Sequence, residues 1–284
     1  MNRTPDDRVL PFTQIIAASV VVVLLLAFLA LYIEPDHTDV NFAWTIQPRT
    51  SAILIGAGYT AGAYFFIRLL TDRRWHRVQA GFLPITAFTI CMLAATVLHW
   101  SRFHQGSVQF ILWTVIYILT PVVVPLVWWL NRRTALTGLE EKDLRFREPV
   151  RRALQVLAGA GILAFLVVFV QPSILISLAA WKLTPLTARV FAGWSILTFS
   201  TVLSIGLDGR WSATRILMES AMVGLLLTLL GLPRIWSDLN KTNPMTYAFV
   251  AGAALTLVAF AAVHVRMERL SRGQVPRPQP APAK

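Results

Sequence analysis

Long apolar runs recur eight times along the chain, each ended by a short polar or charged stretch. A helix of a soluble protein carries a polar stripe at 3.6-residue spacing. Most of these runs are apolar all round and near the roughly 20 residues that a bilayer-spanning helix needs. The pattern predicts spans over 12–33, 48–70, 82–100, 107–130, 150–171, 185–207, 212–232 and 244–265. Pro11 and Pro149 stand at the entries of spans one and five, where a missing backbone N–H costs nothing. Pro121 and Pro125 lie inside span four and predict a kink that span eight, with no internal proline, lacks. The first run is longer than a signal-peptide core and has no Ala-x-Ala site, so it reads as a retained helix. Residues 172–183 are apolar but too few to cross, and are expected to lie in the membrane interface.

The runs are written twice. Shifting the sequence by 137 pairs Trp44 with Trp181, Pro48 with Pro185, Thr50 with Thr187 and Gly56 with Gly193. A shift of 136 pairs Asp72, Arg74 and Trp75 with Asp208, Arg210 and Trp211, and Trp100 with Trp236. Four spans per copy is an even number, so the copies have one orientation and a pseudo-twofold axis along the membrane normal. The expected fold is an all-α membrane protein of about eight transmembrane helices in two parallel four-helix repeats, with both termini cytoplasmic. Its parts are a first module over 1–130, a cytoplasmic linker over 131–152, a second module over 153–266 and a disordered Pro-rich tail over 267–284.

Charge fits this reading. Only 14% of the 284 residues are charged, and the net charge is +12. With the termini inside, 20 of the 26 Lys and Arg fall in cytoplasmic segments and 6 outside, the positive-inside bias. Basic and aromatic residues are not interleaved as a nucleic-acid grip requires, so no nucleic acid is expected as a partner. The lone Cys91 allows no disulfide within the chain.

Candidate chemistry is sparse. Trp44 and Trp181 suit an interfacial belt, and Thr184 or Thr187 can cap the helix that Pro185 starts. Arg49 and Arg189 fall on one helical face in repeat register. They snorkel to the outer surface, or flank a vestibule that binds an anionic headgroup or solute. Arg102 matches Asp238 in the repeat, so a bridge between them across the axis is one hypothesis. Glu219 is the only acid well inside a span. Such a carboxylate faces a partner or a wet cavity, and Arg215 four residues earlier is the plain partner; a proton or cation site is the sharper reading. Arg49, Arg189, Trp181 and Glu219 are therefore the candidate ligand-binding residues. His99 and His104 are five apart and do not share a face; with His37, Asp36 and Asp39 they suggest an outer metal site with little support from spacing. The hydroxyls of span six and the Gly56, Gly58, Gly62 cluster read as packing. No phosphate-binding loop, nucleophile elbow or zinc motif occurs, and no cofactor is expected.

The stretch Trp-Lys-Leu-Thr-Pro-Leu-Thr-Ala-Arg over 181–189, followed by Gly193-Trp194 and by Asp208 and Trp211, resembles a family of bacterial integral membrane proteins to which no activity is assigned. The first half carries a degenerate copy, with Gln47 and Arg49 where the second has Thr184 and Leu186. The resemblance implies a polytopic protein of the bacterial inner membrane and implies no chemistry. Two functional classes stay open. One is a non-enzymatic protein, either transporter-like or structural and partner-binding, alone or as a homo-oligomer. The other is a membrane enzyme acting on lipid or headgroup at the outer interface through His99, His104 or the outer acids.

Overall fold

The computed structural model describes residues 6–135 and 143–273. The middle of the expected linker (136–142) and most of the expected tail (274–284) lie outside the described residues. Eight helices are long and apolar enough to cross a membrane: α1 (Pro11–Ile33), α2 (Arg49–Asp72), α3 (Trp75–Leu98), α4 (Val108–Asn131), α5 (Glu148–Val170), α6 (Pro185–Asp208), α7 (Trp211–Ile235) and α8 (Pro244–Arg272). Asp7 meets His76, and Asp72 shares a cleft with Ser271. Both ends of the described chain therefore lie on one face, called here the terminal face; the opposite face is distal.

The helices pack in the same order in the two halves of the chain. α1 lies on α2 and α3 on α4 in the first half; α5 lies on α6 and α7 on α8 in the second. The halves meet most extensively where α2 lies on α7 and α3 on α6, contacts that the expected repeat register exchanges for one another; α2 also touches α6, and the start of α3 touches α7. Small residues permit the approach. A methyl on Gly58 would stand 2.9 Å from the Trp194 ring, and one on Gly224 would stand 3.1 Å from the Ala61 methyl. Gly56 and Gly62 face α1 instead, so the glycine cluster serves two neighbours.

Both halves tie their turns in the same way. Before α1, Arg8 forms an antiparallel bridge with Arg74; before α5, Arg145 forms one with Arg210. Val9 N donates to Arg73 O, and Phe146 N to Gly209 O. Arg73 and Gly209 end α2 and α6 in the left-handed region, at φ 58° and 76°. On the distal face His104 N donates to Ala43 O and Asn240 N to Ala180 O. Ser107 and Asn243 cap α4 and α8, and Thr184 caps α6 by accepting from Thr187 N at 3.2 Å.

Several boundaries depart from the sequence reading. Span three, expected from 82, begins at Trp75. Asp7 supplies the cap: its carbonyl accepts from Trp75 N and its carboxylate from His76 N. α5 begins at Glu148, so the linker ends before 152 and Arg151 belongs to the helix, where it bonds the Gly206 and Leu207 carbonyls. α8 continues to Arg272, past the expected tail start at 267, because Glu268 is tied to Trp211 and Arg215 on α7. Residues 173–178 form a short helix with Ile174 and Leu178 exposed. α4 runs as helix through both prolines. Trp44 is not a belt residue: it is 2% exposed, within a ring cluster of Phe42, Phe103 and Trp113. Apolar ring area gains more from that enclosure than from a headgroup layer.

Candidate functional site

The densest charge cluster lies between α2, α7 and α8, toward the terminal face. Its centre is Glu219, which is 9% exposed. Arg68 pairs with its Oε2, and Tyr64 Oη donates to the same oxygen at 2.8 Å. Arg215 Nε donates to Oε1 at 3.0 Å, and His264 Nε2 stands 3.9 Å from that atom. The chain of pairs continues outward on both sides. Arg68 reaches Asp72 at 3.8 Å, and Arg77 donates to both Asp72 oxygens at 2.9 Å. Arg215 also lies 3.5 Å from Glu268, which accepts from Trp211 Nε1 at 3.0 Å. Three guanidinium groups and three carboxylates thus face each other. Each carboxylate has a guanidinium group beside it, as a buried acid requires. A cleft of about 190 Å³ opens beside them, lined by Asp72 and Arg77 of the first half and Asp143, Trp211, Arg215 and Glu268 of the second.

Sequence reasoning paired Glu219 with Arg215, and the two do lie together. It missed Arg68, Tyr64 and His264. The available signal was Arg68 itself, a basic residue inside span two with no acid in the same apolar run; a lone intramembrane acid in one half calls for such a base in the other.

The remaining candidates sit on the distal face and are divided among separate contacts. Arg49 Nε lies 3.7 Å from Asp238, and its other nitrogens lie 3.8 Å from Asp36 and 3.4 Å from Ser237 Oγ. Thr50 Oγ1 donates to Asp238 at 2.9 Å. Asp238 is therefore met by α2. The structure does not bring Arg102 to it: the repeat register places the two residues at equivalent ends, but the first turn of α2 intervenes and supplies the cation. Arg189 is turned toward α5 and α3. It donates to the Phe169 and Val170 carbonyls at 3.0 and 3.3 Å, and to His99 Nε2 at 2.7 Å. Trp181 Nε1 donates to Ser51 Oγ at 2.9 Å, across the halves.

Two arginines of the second half close the distal ends of α1 and α5. Arg189 holds the last carbonyls of α5; Arg234 holds Tyr32 O and Ile33 O, the last carbonyls of α1, at 2.5 and 3.0 Å. In the expected repeat register the carbonyls correspond and the arginines do not. Each cation meets the negative end of a helix dipole.

His99 accepts from Arg189, so its Nε2 carries no proton in this arrangement. Desolvation, then the charges of Arg189 and Arg102, hold its pKa below the ordinary value. His104 contacts the Phe42 carbonyl at 3.1 Å and Thr45 Oγ1 at 3.0 Å. Neither distal histidine is placed against a carboxylate, and among the described residues no cluster of His, Cys, Asp and Glu has metal-ligand geometry.

No protein-family model, no curated protein and no solved structure matches this chain.

Proposed function

We propose that the chain is a non-enzymatic multi-pass protein of the bacterial inner membrane, acting as a structural or partner-binding component built from two parallel repeats. The bacterial assignment rests on the resemblance carried by 181–189. The repeat is supported by the exchange of α2–α7 for α3–α6 and by the matched bridges Arg8–Arg74 and Arg145–Arg210. The excess of Lys and Arg on the terminal side, 20 against 6, supports cytoplasmic termini.

The observation that carries the functional reading is where the halves are joined. Polar contacts cross between them at both faces: Arg49 and Thr50 to Asp238, Arg189 to His99 and Trp181 to Ser51 on the distal side, Arg68 and Tyr64 to Glu219 toward the terminal side. Between these locks Gly58 closes on Trp194 and Gly224 on Ala61, Ser220 Oγ donates to Ala61 O at 2.5 Å and Tyr32 Oη to Leu227 O at 2.8 Å, so the halves are in direct contact through the middle as well. Arg49 and Arg189 then serve as locks and helix caps. A bundle held at both ends and packed in the middle suits a fixed scaffold.

The cleft between the halves beside Arg77 and Arg215 favours a second reading, a carrier caught closed. Spin labels distinguish the two. One pair at Gln105 and Lys241 reports the distal face, and one at Thr71 and Leu207 the terminal face; all four positions are exposed. A scaffold gives one narrow distance per pair in lipid nanodiscs, unchanged by pH or added solutes. Two populations that shift in opposite senses at the two faces would replace the scaffold with a carrier.

A further inference from the structure

Two charged groups in the cleft on the terminal face are only partly engaged by the protein. Arg215 bonds Glu219 through Nε at 3.0 Å, and its two terminal nitrogens make no hydrogen bond among the described residues. The side chain is 39% exposed. A guanidinium anchored at Nε presents a free fork of N–H donors in a fixed direction. Glu268 stands beside it, 3.5 Å from the same Nε. Its Oε1 accepts from Trp211 Nε1 at 3.0 Å, and its Oε2 accepts no hydrogen bond among the described residues. The other acids of the lining are engaged. Both Asp143 oxygens meet Ser212, and both Asp72 oxygens meet Arg77.

The cleft is walled by the end of α2, the start of α3, the segment before α5, the start of α7 and the last turns of α8. Its volume of about 190 Å³ is the space of roughly six waters at about 30 Å³ each. In the expected repeat register Arg215 and Glu268 become Gln79 and Arg132, so packing common to both halves does not call for this pair. Three carboxylates and two guanidinium groups line the space: Asp72, Asp143 and Glu268 against Arg77 and Arg215. A simple anion meets a net negative lining, and a simple cation meets the fork of Arg215. A molecule carrying both charges one or two carbons apart satisfies the free fork and the free carboxylate oxygen together.

We propose that this cleft binds one small zwitterion, its oxyanion on the fork of Arg215 and its ammonium on Glu268. Ethanolamine phosphate has this chemistry, as a free solute or as a lipid headgroup. Occupancy goes beyond the scaffold reading and does not require the halves to move.

Two measurements on the full-length protein separate the sources. Calorimetric titration with phosphoethanolamine, in nanodiscs of phosphatidylglycerol, reads the solute form. Native mass spectrometry with phosphatidylethanolamine against phosphatidylcholine reads the headgroup form. Binding of phosphoethanolamine alone identifies a solute, and selective binding of phosphatidylethanolamine alone identifies a lipid of the leaflet on the terminal face. Inorganic phosphate and ethylamine, the two halves of the probe, are expected to bind at least about tenfold more weakly. Phosphatidylcholine, whose nitrogen has no N–H for Glu268, is expected to bind more weakly than phosphatidylethanolamine. Arg215→Lys keeps a cation beside Glu219 and loses the fork; it is expected to weaken binding by about tenfold. Glu268→Gln keeps an acceptor for Trp211 and is expected to cost the zwitterion a similar factor while leaving inorganic phosphate no weaker. Ser271→Phe, in the last turn of α8, fills the cleft without changing its charge and is expected to abolish binding. The proposal is overturned if the wild type takes neither phosphoethanolamine nor phosphatidylethanolamine in preference to phosphatidylcholine. It is equally overturned if inorganic phosphate binds as tightly as phosphoethanolamine, or if Arg215→Lys or Ser271→Phe binds as the wild type does.

Discussion

Glu219 and Arg68 show how a single charge in an apolar run is made tolerable. Neither fits its own helix: each is a polar interruption of a segment selected for lipid. Together they form a pair between α2 and α7, extended by Arg215 and Tyr64. Removing one partner of a buried pair strands the other, at a cost of about 3–5 kcal/mol, whereas replacing both with apolar groups costs far less. We expect Glu219→Met to destabilise the protein by about 3 kcal/mol and Arg68→Met/Glu219→Met to recover part of that loss. Thermal unfolding in nanodiscs measures the cycle; additive single and double effects would deny the coupling. His99 gives a prediction in pH. Its folded pKa is depressed, so the unfolded chain binds the proton more readily. Stability is therefore highest above the ordinary histidine range and falls as pH drops through that range toward the folded value. His99→Gln keeps an acceptor for Arg189 and removes the proton. Its unfolding midpoint should depend less on pH between about 7.5 and 5 than that of the wild type; parallel curves would place the titration elsewhere.

Among the elements, the helix starts are the informative part. α3 and α7 have no cap in their own sequence, and each is capped from about seventy residues upstream. Asp7 takes His76 N; Asp143 takes Ser212 N at 3.0 Å and Ser212 Oγ at 2.5 Å. The acid also meets the positive end of the helix dipole. Asp143→Ala should cost about 1–2 kcal/mol, and Asp143→Asn should recover most of it by keeping an acceptor; equal losses in both variants would assign the effect to charge in the neighbouring cleft. This is why span three was placed seven residues late in the sequence reading. A basic turn with no local cap reads as loop, and the carboxylate that converts Trp75 to His76 into a helix start arrives only through the tertiary fold. A helix start with local chemistry, Thr184 before Pro185, was legible because donor and acceptor lie three residues apart.

At the scale of the molecule, eight candidate spans among the described residues leave both described ends on one face, and the charge bias is the basis for proposing that this face is cytoplasmic. A fluorescent-protein fusion after Lys284 is expected to fluoresce in intact cells, while a periplasm-dependent reporter inserted at Gln105 is expected to be active. The reverse result would invert the molecule and exchange the leaflets in every statement above. The separation of spans from turns was visible in spacing alone; the proposed repeat rests on the same spacing. The charged cluster was half visible: Arg215 and Glu219 are one helical turn apart, whereas Arg68 is 151 residues away from its partner.

Hydrophobic run length and the positions of proline by themselves determined the helical class and the count of eight candidate spans. Each of these depends on how a segment partitions between water and lipid, a property the segment carries alone. Only the tertiary structure decided which residues meet across the halves. It sent Asp238 to Arg49 in place of Arg102, turned Arg189 onto the end of α5 and enclosed Trp44. Those outcomes depend on which side chain first fills the space between two helices, and that space exists only once both helices are in place.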